Sequence, residues 1–230
     1  MGQADTRVPD TTAIRDAATL ILLRDAITRP RVLMGQRDKS AVFMPSKFVF
    51  PGGAVEAVDA GIPLARPPAD ATARALQAQS SPPPAAIIAA ATRELWEETG
   101  QLLGRADARA KTVQAPKGWR GYLATGCLPD GVAMTFVFRA ITPPGTPRRF
   151  DARFFLAGAG GLQTDPDDFT RAEAELSRLQ WIPLDQVRAF DMPFITGVVL
   201  AEVAARLAGR VPPSVPFFNS SDGNSRFERL

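Results

Sequence analysis

Residues 93–100 read RELWEETG, which is the most informative stretch of the chain. Its three carboxylates, Glu94, Glu97 and Glu98, stand at positions i, i+3 and i+4, which share one face of a helix. Like charges at that spacing repel one another and would destabilise the helix on their own. A hard divalent cation such as Mg²⁺ takes oxygen ligands and turns this repulsion into coordination. Arg93 stands beside the three carboxylates and is placed to hold one of them through a charge-assisted hydrogen bond.

A second stretch, FPGG at residues 50–53, lies upstream of the first. Together they resemble the Nudix box, in which Gly, five residues, Glu, seven residues and Arg-Glu-hydrophobic-x-Glu-Glu-x-Gly-hydrophobic form a loop, a helix and a loop. Counting from Gly53, Asp59 stands where the first Glu belongs. The two halves are separated by residues 60–92, which number 33 against seven in the usual pattern, and Gln101 replaces a hydrophobic residue.

The alternative interpretation of residues 93–100 is a solvated, glutamate-rich helix face of no special function. The context disfavours it, because FPGG precedes the motif, an apolar helical stretch at 85–91 leads into it, and Arg93 is in register.

Composition limits the classes of protein to consider. The chain has 230 residues, 45% of them hydrophobic, which suits one sizeable globular domain. It contains no histidine, which excludes serine or cysteine chemistry that needs a histidine base, and histidine zinc sites. The single cysteine, Cys127, excludes an intramolecular disulfide and is expected to be a buried or incidental thiol. Any hydrolysis must then depend on carboxylates, Lys, Tyr or a metal.

Charge and targeting signals bear on partners and location. The net charge of +3 is too small to indicate binding to duplex nucleic acid. No apolar run of about eighteen residues predicts a membrane span, and the polar N-terminus lacks the apolar stretch of a signal peptide. We therefore expect a cytoplasmic protein with no nucleic-acid and no membrane partner.

The predicted organisation is a loose N-terminal arm (1–16), one domain (17–209) and a loosely ordered tail (210–230), with an insertion in the box at 60–84. Strands are predicted at 17–23, 31–36, 132–141, 150–156 and near 181, and a PGG turn at 50–54. Helices are predicted at 69–79, from 84 or 85 to 99, at 184–190 and at 195–207. Residues 106–121 give no clear pattern.

Strands between long helices suggest an α/β/α sandwich. The resemblance implies the same fold, since Nudix domains place a mixed sheet between helices and hold the metal at one end of the box helix.

The resemblance also implies a reaction, the hydrolysis of the pyrophosphate bond in a nucleoside diphosphate linked to another moiety. It implies Mg²⁺ or Mn²⁺ as cofactor, with Glu94, Glu97, Glu98 and the carbonyl of Gly53 as metal ligands. Arg93 is then expected to orient a glutamate, and Glu94 and Glu97 are the first candidates for the general base.

A base from a distant loop remains an alternative. The candidates are five acidic residues between the strand predicted at 150–156 and the strand predicted near 181, and each could equally be a solvated surface acid: Asp165, Asp167, Asp168, Glu173 and Glu175.

The split box narrows the substrate, since a long insertion between Gly-Gly and the Arg-Glu helix resembles the peroxisomal-type coenzyme A diphosphatases and their bacterial relatives. Such enzymes cut coenzyme A or acyl-coenzyme A to 3′,5′-ADP and a phosphopantetheine. A coenzyme A signature before FPGG is matched in part, by Leu33 and Arg37, whereas Val42 replaces a second Arg, for which Lys39 or Lys47 is a substitute.

A further anion-binding cluster is predicted on the strand at 150–156 and just before it. Alternation along a strand puts Arg149 and Arg153 on one face and Arg148 on the other. These arginines are expected either to bind substrate phosphates or to form surface ion pairs, with the two readings evenly balanced. Four aromatic residues are expected in the core, with stacking on adenine as the alternative: Trp119, Phe154, Phe155 and Trp181.

Two other functions remain open at this stage. One is hydrolysis of ADP-ribose, NADH or another nucleoside diphosphate conjugate. The other is a non-catalytic nucleotide sensor, which the intact Arg93, Glu94, Glu97 and Glu98 disfavour. A homodimer is possible for a protein of this kind.

Overall fold

The computed structural model describes residues 13–212 and 214–230. The apolar stretch predicted as the first strand forms the middle of β1 (Ile14–Arg24), the central strand of a mixed sheet. Its β-branched and leucine side chains suit a strand that is covered on both faces. The other strands of this sheet are β2 (Arg31–Arg37), β3 (Phe48–Val49), β4 (Gly52–Ala54), β7 (Thr135–Ile141), β8 (Arg149–Gly158), β9 (Leu176–Pro183), β10 (Pro216–Asn219) and β11 (Arg226–Arg229).

The sheet runs in the order β11-β10-β7-β8-β1-β2-β3. β1 pairs in parallel with β8, and β7 pairs in parallel with β10, whereas the other pairings are antiparallel. β4 pairs with β1 and places Gly53 opposite Ala18, and β9 pairs with β2. A separate two-stranded ladder joins β5 (Arg105–Ala106) to β6 (Cys127–Leu128).

Helices cover both faces of the sheet. On one face, Leu20 and Leu22 of β1 pack in a cluster with Ile88 of α2 (Pro84–Thr99) and Leu76 of α1 (Asp70–Gln77). On the other face, alternate residues of β1 pack against α4 (Phe194–Leu207). This confirms the predicted α/β/α sandwich with a mixed sheet. Burial of these apolar side chains supplies the main stabilisation, at roughly 1.5–3 kcal/mol for each fully buried large one.

Helix α2 carries the box motif and has the predicted bounds. Pro84 stands in its first turn, where a missing N–H costs nothing, and Gly100 ends it with φ 71°, a left-handed conformation that favours glycine. Three residues on from the buried Leu95, Glu98 is buried as well, so that face of the helix passes from the core into the site.

A third apolar cluster lies beside α2. It joins the start of the insertion to α3 (Arg120–Ala124) and β6 through Ile62, Trp119 and Tyr122. Cys127 belongs to this cluster and is buried, as expected. The segment that gave no clear pattern in the sequence therefore forms a small subdomain against the box helix.

Several predictions of local structure need correction. The tail predicted to be loose forms β10 and β11, because β10 gains a hydrogen-bonding partner in β7. Most of the predicted N-terminal arm (1–12) lies outside the described residues, while residues 14–16 belong to β1. The strand predicted at 132–141 begins only at Thr135, and the helix predicted at 184–190 is one 3-10 turn, Val187–Ala189.

Within residues 13–212 and 214–230, none of the helices combines the length and the apolar character that crossing a lipid bilayer requires.

Candidate active site

Arg93 is the centre of the site. Its side chain is 4% exposed, and all five of its N–H groups donate hydrogen bonds. Nη1 donates to Glu94 Oε1 at 2.8 Å and to Glu97 Oε2 at 2.9 Å. Nε and Nη2 donate to the two oxygens of Asp59 at 2.9 and 3.1 Å, and Nη2 also donates to the Ala54 carbonyl at 2.9 Å. Arg93 therefore ties the loop half of the motif to the helix half.

Asp59 is fully buried and has a complete set of donors. Besides Arg93, the indole Nε1 of Trp119 donates to Oδ1 at 2.9 Å, and the backbone N–H of Glu56 donates to Oδ2 at 2.8 Å. Its four hydrogen bonds occupy the acceptor positions of the carboxylate. Asp59, in the position of the first glutamate of the box, therefore anchors Arg93.

The three glutamates carry more negative charge than Arg93 neutralises. Burial raises the pKa of Glu94 to about 7, although Arg93 acts in the opposite direction. Burial and the charge of Glu94 raise the pKa of Glu98 well above its ordinary value, against the hydrogen bond that Glu98 Oε2 accepts from the Gly52 N–H at 2.8 Å. Burial also raises the pKa of Glu97. We define the box cluster as Asp59, Arg93, Glu94, Glu97 and Glu98. Its four carboxylates exceed its one arginine, so the cluster has an excess of negative charge.

Two glycines allow the PGG turn to pack closely, Gly53 against the Glu94 carboxylate and Gly52 against β1. A Cβ on Gly53 would lie 2.5 Å from the Glu94 carboxyl group, and one on Gly52 would lie 2.7 Å from the Ala18 carbonyl. Only glycine permits these approaches, so the PGG turn and the box helix form one unit.

The donor set suits a hard divalent cation in its chemistry, because it offers oxygen ligands and excess negative charge in a partly buried place. In the part of the chain that the structure describes, however, no three Asp, Glu, His or Cys side chains are gathered as a ready metal-binding group. Arg93 takes one oxygen from Glu94 and one from Glu97. A cation at this position would be held by Glu94, Glu97 and Glu98 beside Gly53.

A cavity of about 380 Å³ opens beside the box cluster. Glu94, Gly52 and Gly53 line it at the box end. The remaining walls are largely apolar, with Phe43, Met44, Phe50, Phe150, Phe154, Ile195 and Phe218, and with Arg15, Arg37, Arg148, Glu56 and Glu175 among the charged residues. Phe43 packs edge-on against Phe150 with ring centroids 5.4 Å apart. A cavity of this size and lining suits a small organic ligand.

Arg37 is the predicted substrate-binding residue that lines this cavity. Its Nη2 donates to Glu175 Oε1 at 3.0 Å, and Glu175 lines the cavity too. Glu175 is also close enough to raise the pKa of Glu94 and Glu98. Glu173 acts on the pKa of Glu97, while Asp167 pairs with Arg24 at 2.8 Å. Asp165 and Asp168 accept hydrogen bonds within their own loop.

Arg149 and Arg153, which were predicted to bind substrate phosphates, are both buried and do not line the cavity. Arg153 is 1% exposed and pairs with Asp16 and Asp151, and it donates to Ser80 Oγ at 2.8 Å. Arg149 donates to the Thr142 carbonyl at 3.1 Å and to the Ser221 carbonyl at 2.7 Å. The alternation of the strand is as predicted, but the opposite face, with Arg148, meets the cavity.

The aromatic residues divide in a similar way. Phe155 and Trp119 are completely buried, and Trp181 donates to the Pro166 carbonyl at 3.0 Å, so these three do not line the cavity. Phe154 does line it, together with Phe150, which follows the same two-residue period. The two-residue period of Phe150 and Phe154 could have predicted this aromatic face from the sequence. No local pattern predicts that Phe43 and Phe218 join it, because they come from distant segments of the chain.

Comparison with known proteins agrees with this geometry. No protein-family model matches the chain. A Caenorhabditis elegans protein that carries the name nudix hydrolase 7 is 30% identical over 184 residues, which is 75% of this chain and 52% of that protein. A NUDIX hydrolase from Alicyclobacillus acidocaldarius has a crystal structure that superposes with a TM-score of 0.61 and 28% identity, covering 84% of this chain and 92% of that one.

In sequence and in fold, the chain is similar to Nudix hydrolases. The superposed structure covers most of this chain, and Asp59 and Arg93, from the two halves of the motif, meet in the site. The chain spans about half the length of the curated relative, so the similarity concerns this domain.

Proposed function

We propose that the protein is a metal-dependent hydrolase of the pyrophosphate bond in nucleoside diphosphate-linked substrates. The observation that carries the proposal is the box cluster, in which four carboxylates share one arginine and Arg93 pairs with three of them, next to a cavity of about 380 Å³. Excess buried negative charge is costly unless a cation compensates it. The similarity to Nudix hydrolases supports the same chemistry.

In this proposal Glu94, Glu97 and Glu98, with the Gly53 carbonyl, hold Mg²⁺ or Mn²⁺. The metal supplies neutralisation of the diphosphate and a lower pKa for its bound water. Arg93 is a positioning residue, since its hydrogen bonds to Glu94 and Glu97 fix both carboxylates. The apolar walls of the cavity exclude bulk water from the bond that is cut.

The general base is proposed to be Glu94 or Glu97. Glu94 lines the cavity at its box end, which places its carboxylate beside a bound substrate. Glu175 is the alternative favoured among the loop acids, because it lines the cavity and pairs with Arg37.

The proposed substrate is coenzyme A or an acyl-coenzyme A. The split box with residues 60–92 between its halves supports this choice, as does the position of Arg37 at the cavity. The proposed hydrolase acts on a small molecule in the cytoplasm. It needs no nucleic-acid or membrane partner, and a homodimer is compatible with this function.

A hydrolysis screen with Mg²⁺ and with Mn²⁺, read by mass spectrometry, tests the proposal. The panel contains coenzyme A, acetyl-coenzyme A, ADP-ribose, NADH and a diadenosine polyphosphate. Release of 3′,5′-ADP from coenzyme A is the expected result. Cleavage of ADP-ribose or NADH alone would keep the chemistry and discard the substrate, and tight nucleotide binding with no turnover would indicate a sensor.

A further inference from the structure

The cavity is lined by a second group of charged residues, outside the box cluster. Arg15 of β1 and Arg148, which immediately precedes β8, are both exposed and both line the cavity. Among the described residues neither forms an ion pair, although Glu56 lines the same cavity. They differ in this from Arg149 and Arg153, whose guanidinium groups are buried and bonded within the fold.

The register of the sheet brings these two arginines together. β1 and β8 are parallel neighbours, with Arg15 opposite Phe150, so Arg148 is two residues from the pairing position of Arg15. Neighbouring strands lie about 4.8 Å apart and rise about 3.3 Å per residue, which places the two Cα atoms roughly 8 Å apart. Two guanidinium groups at that separation reach a single anion.

The distance to the box fits one ligand. Ala18 is paired with Gly53, and Arg15 is three residues away along β1, or about 10 Å. The apolar surface of Phe150 and Phe154 lies on the same face of the sheet. A ligand with a diphosphate at Gly53 would therefore place a base or ribose on the phenylalanines and a further group at the arginines.

We propose that Arg15 and Arg148 bind a phosphate group of the substrate that is separate from the scissile diphosphate. The inference rests on the proposed function and defines its substrate class as nucleoside diphosphate conjugates that bear an additional phosphomonoester. Arginine suits this role because its planar fork binds phosphate oxygens in pairs.

The test compares coenzyme A with dephospho-coenzyme A, which lacks only the 3′-phosphate and keeps the diphosphate. With Mg²⁺, kcat/KM of the wild-type protein is expected to be at least tenfold higher for coenzyme A. Arg15→Gln and Arg148→Gln should each lower kcat/KM for coenzyme A about tenfold and leave dephospho-coenzyme A unchanged. Arg210→Gln, an exposed arginine beyond α4, is the control and should change neither.

Equal use of the two substrates by the wild type would overturn the inference, and so would an equal loss on both in the variants. Both results keep the diphosphatase activity. Absence of turnover for every diphosphate of the screen would instead contradict the proposed function, so the two failures are distinguishable.

A second inference comes from Trp119, which lies outside the box. We infer that its indole N–H is a positioning group for the metal ligands, acting through Asp59 and Arg93. Trp119 is completely buried, and it donates to the same Asp59 oxygen as Arg93 Nε. The neighbouring Gly118 packs against the box cluster as well, since a Cβ there would lie 3.0 Å from Glu97 Oε1.

The test replaces the donor and keeps the aromatic packing. Trp119→Phe is expected to weaken Mn²⁺ binding, measured by electron paramagnetic resonance, about tenfold. Trp181→Phe is the matched control, because it removes an indole hydrogen bond to the Pro166 carbonyl outside the site and should leave Mn²⁺ binding unchanged.

Unchanged Mn²⁺ binding in folded Trp119→Phe would overturn this second inference. Asp59→Asn, which keeps the shape of the side chain, is the companion variant if Trp119→Phe fails to fold. It should weaken Mn²⁺ binding at least as much, and unchanged Mn²⁺ binding in it would also contradict the inference.

Discussion

Two buried charged regions of this protein differ in charge balance. The box cluster has four carboxylates and one arginine, which pairs with Asp59, Glu94 and Glu97, while Glu98 accepts a hydrogen bond from the Gly52 N–H. The arginine cluster behind β8, defined as Arg139, Arg149 and Arg153 with Asp16 and Asp151, has cations matched by carboxylates and backbone carbonyls. The single side chain of Arg139 donates hydrogen bonds to Asp151 and to the backbone carbonyls of Ala78 and Gln79.

The difference separates structural from chemical use of charge. In the arginine cluster each guanidinium holds a piece of chain: Arg139 and Arg153 fix the end of the box insertion, and Arg149 fixes the C-terminal turn. In the box cluster the acids exceed the cations, so that pKa values rise and a cation is needed. Burial with nearly balanced charge, here three arginines against two aspartates, indicates structure, and burial with a large excess of one charge, here four carboxylates against one arginine, indicates a site.

The strongest test of this contrast is Glu98→Gln. It should lower kcat by at least about a thousandfold, because it removes a proposed metal ligand while the hydrogen bond from Gly52 can persist. Hydrolysis rates measure the loss of kcat, and the thermal unfolding midpoint measures whether the fold is kept. Glu228→Gln on β11 is the control, and near wild-type turnover in Glu98→Gln would remove the metal proposal.

Arg153→Gln should have the opposite profile. Loss of a buried guanidinium leaves Asp16 and Asp151 undercompensated, at a cost of about 3 kcal/mol or more in the free energy of unfolding. Urea denaturation measures this cost, with Arg210→Gln as the control. The folded variant should retain kcat/KM. A loss of activity without a loss of stability would instead indicate that Arg153 binds the substrate.

The pH dependence of stability should differ between metal-free and Mg²⁺-loaded protein. A folded-state pKa of about 7 for Glu94, against 4.5 as its ordinary value, means that the folded state binds more protons in between. Glu94 alone should lower the free energy of unfolding without metal by about 3 kcal/mol as pH rises from 4.5 to 7, and the raised pKa values of Glu97 and Glu98 act in the same direction.

Because Mg²⁺ binds the ionised carboxylates, the thermal shift it causes should grow across the same window. Unfolding midpoints at pH 5, 6, 7 and 8 with and without Mg²⁺ measure this, and Glu94→Gln should flatten the dependence. A Mg²⁺ shift that is equal at all four pH values would argue against cation binding by these carboxylates.

The smallest expected effect is that of Arg37→Gln. Arg37 pairs with Glu175, which is exposed, so its removal should cost stability about 1 kcal/mol or less. As a proposed substrate contact it should raise KM about fivefold and leave kcat nearly unchanged. Steady-state kinetics decide the point, and a fall in kcat at constant KM would move Arg37 from substrate binding to the chemical step.

The sequence predicts best what is decided locally. The bounds of α2 follow from Pro84 and Gly100, and the box glutamates follow from helical spacing. The hairpin of β1 and β2 is likewise decided by adjacent apolar runs.

What the sequence does not predict depends on distant partners. β10 is a strand because β7 offers it an edge, although its own segment is rich in proline and serine. Alternation separates Arg148 from Arg149 and Arg153, but which face meets the cavity depends on α4 and on the loop with Phe43. Trp119 comes from a segment without a clear pattern, and its contact with Asp59 spans 60 residues.

The most direct test of the central claim is coenzyme A hydrolysis by the same preparation as purified, after removal of divalent metals with EDTA, and after addition of Mg²⁺. The account predicts that turnover to 3′,5′-ADP disappears with the metal and returns with Mg²⁺. Undiminished turnover in the metal-free protein would contradict the claim that the excess charge of the box cluster serves to hold a cation.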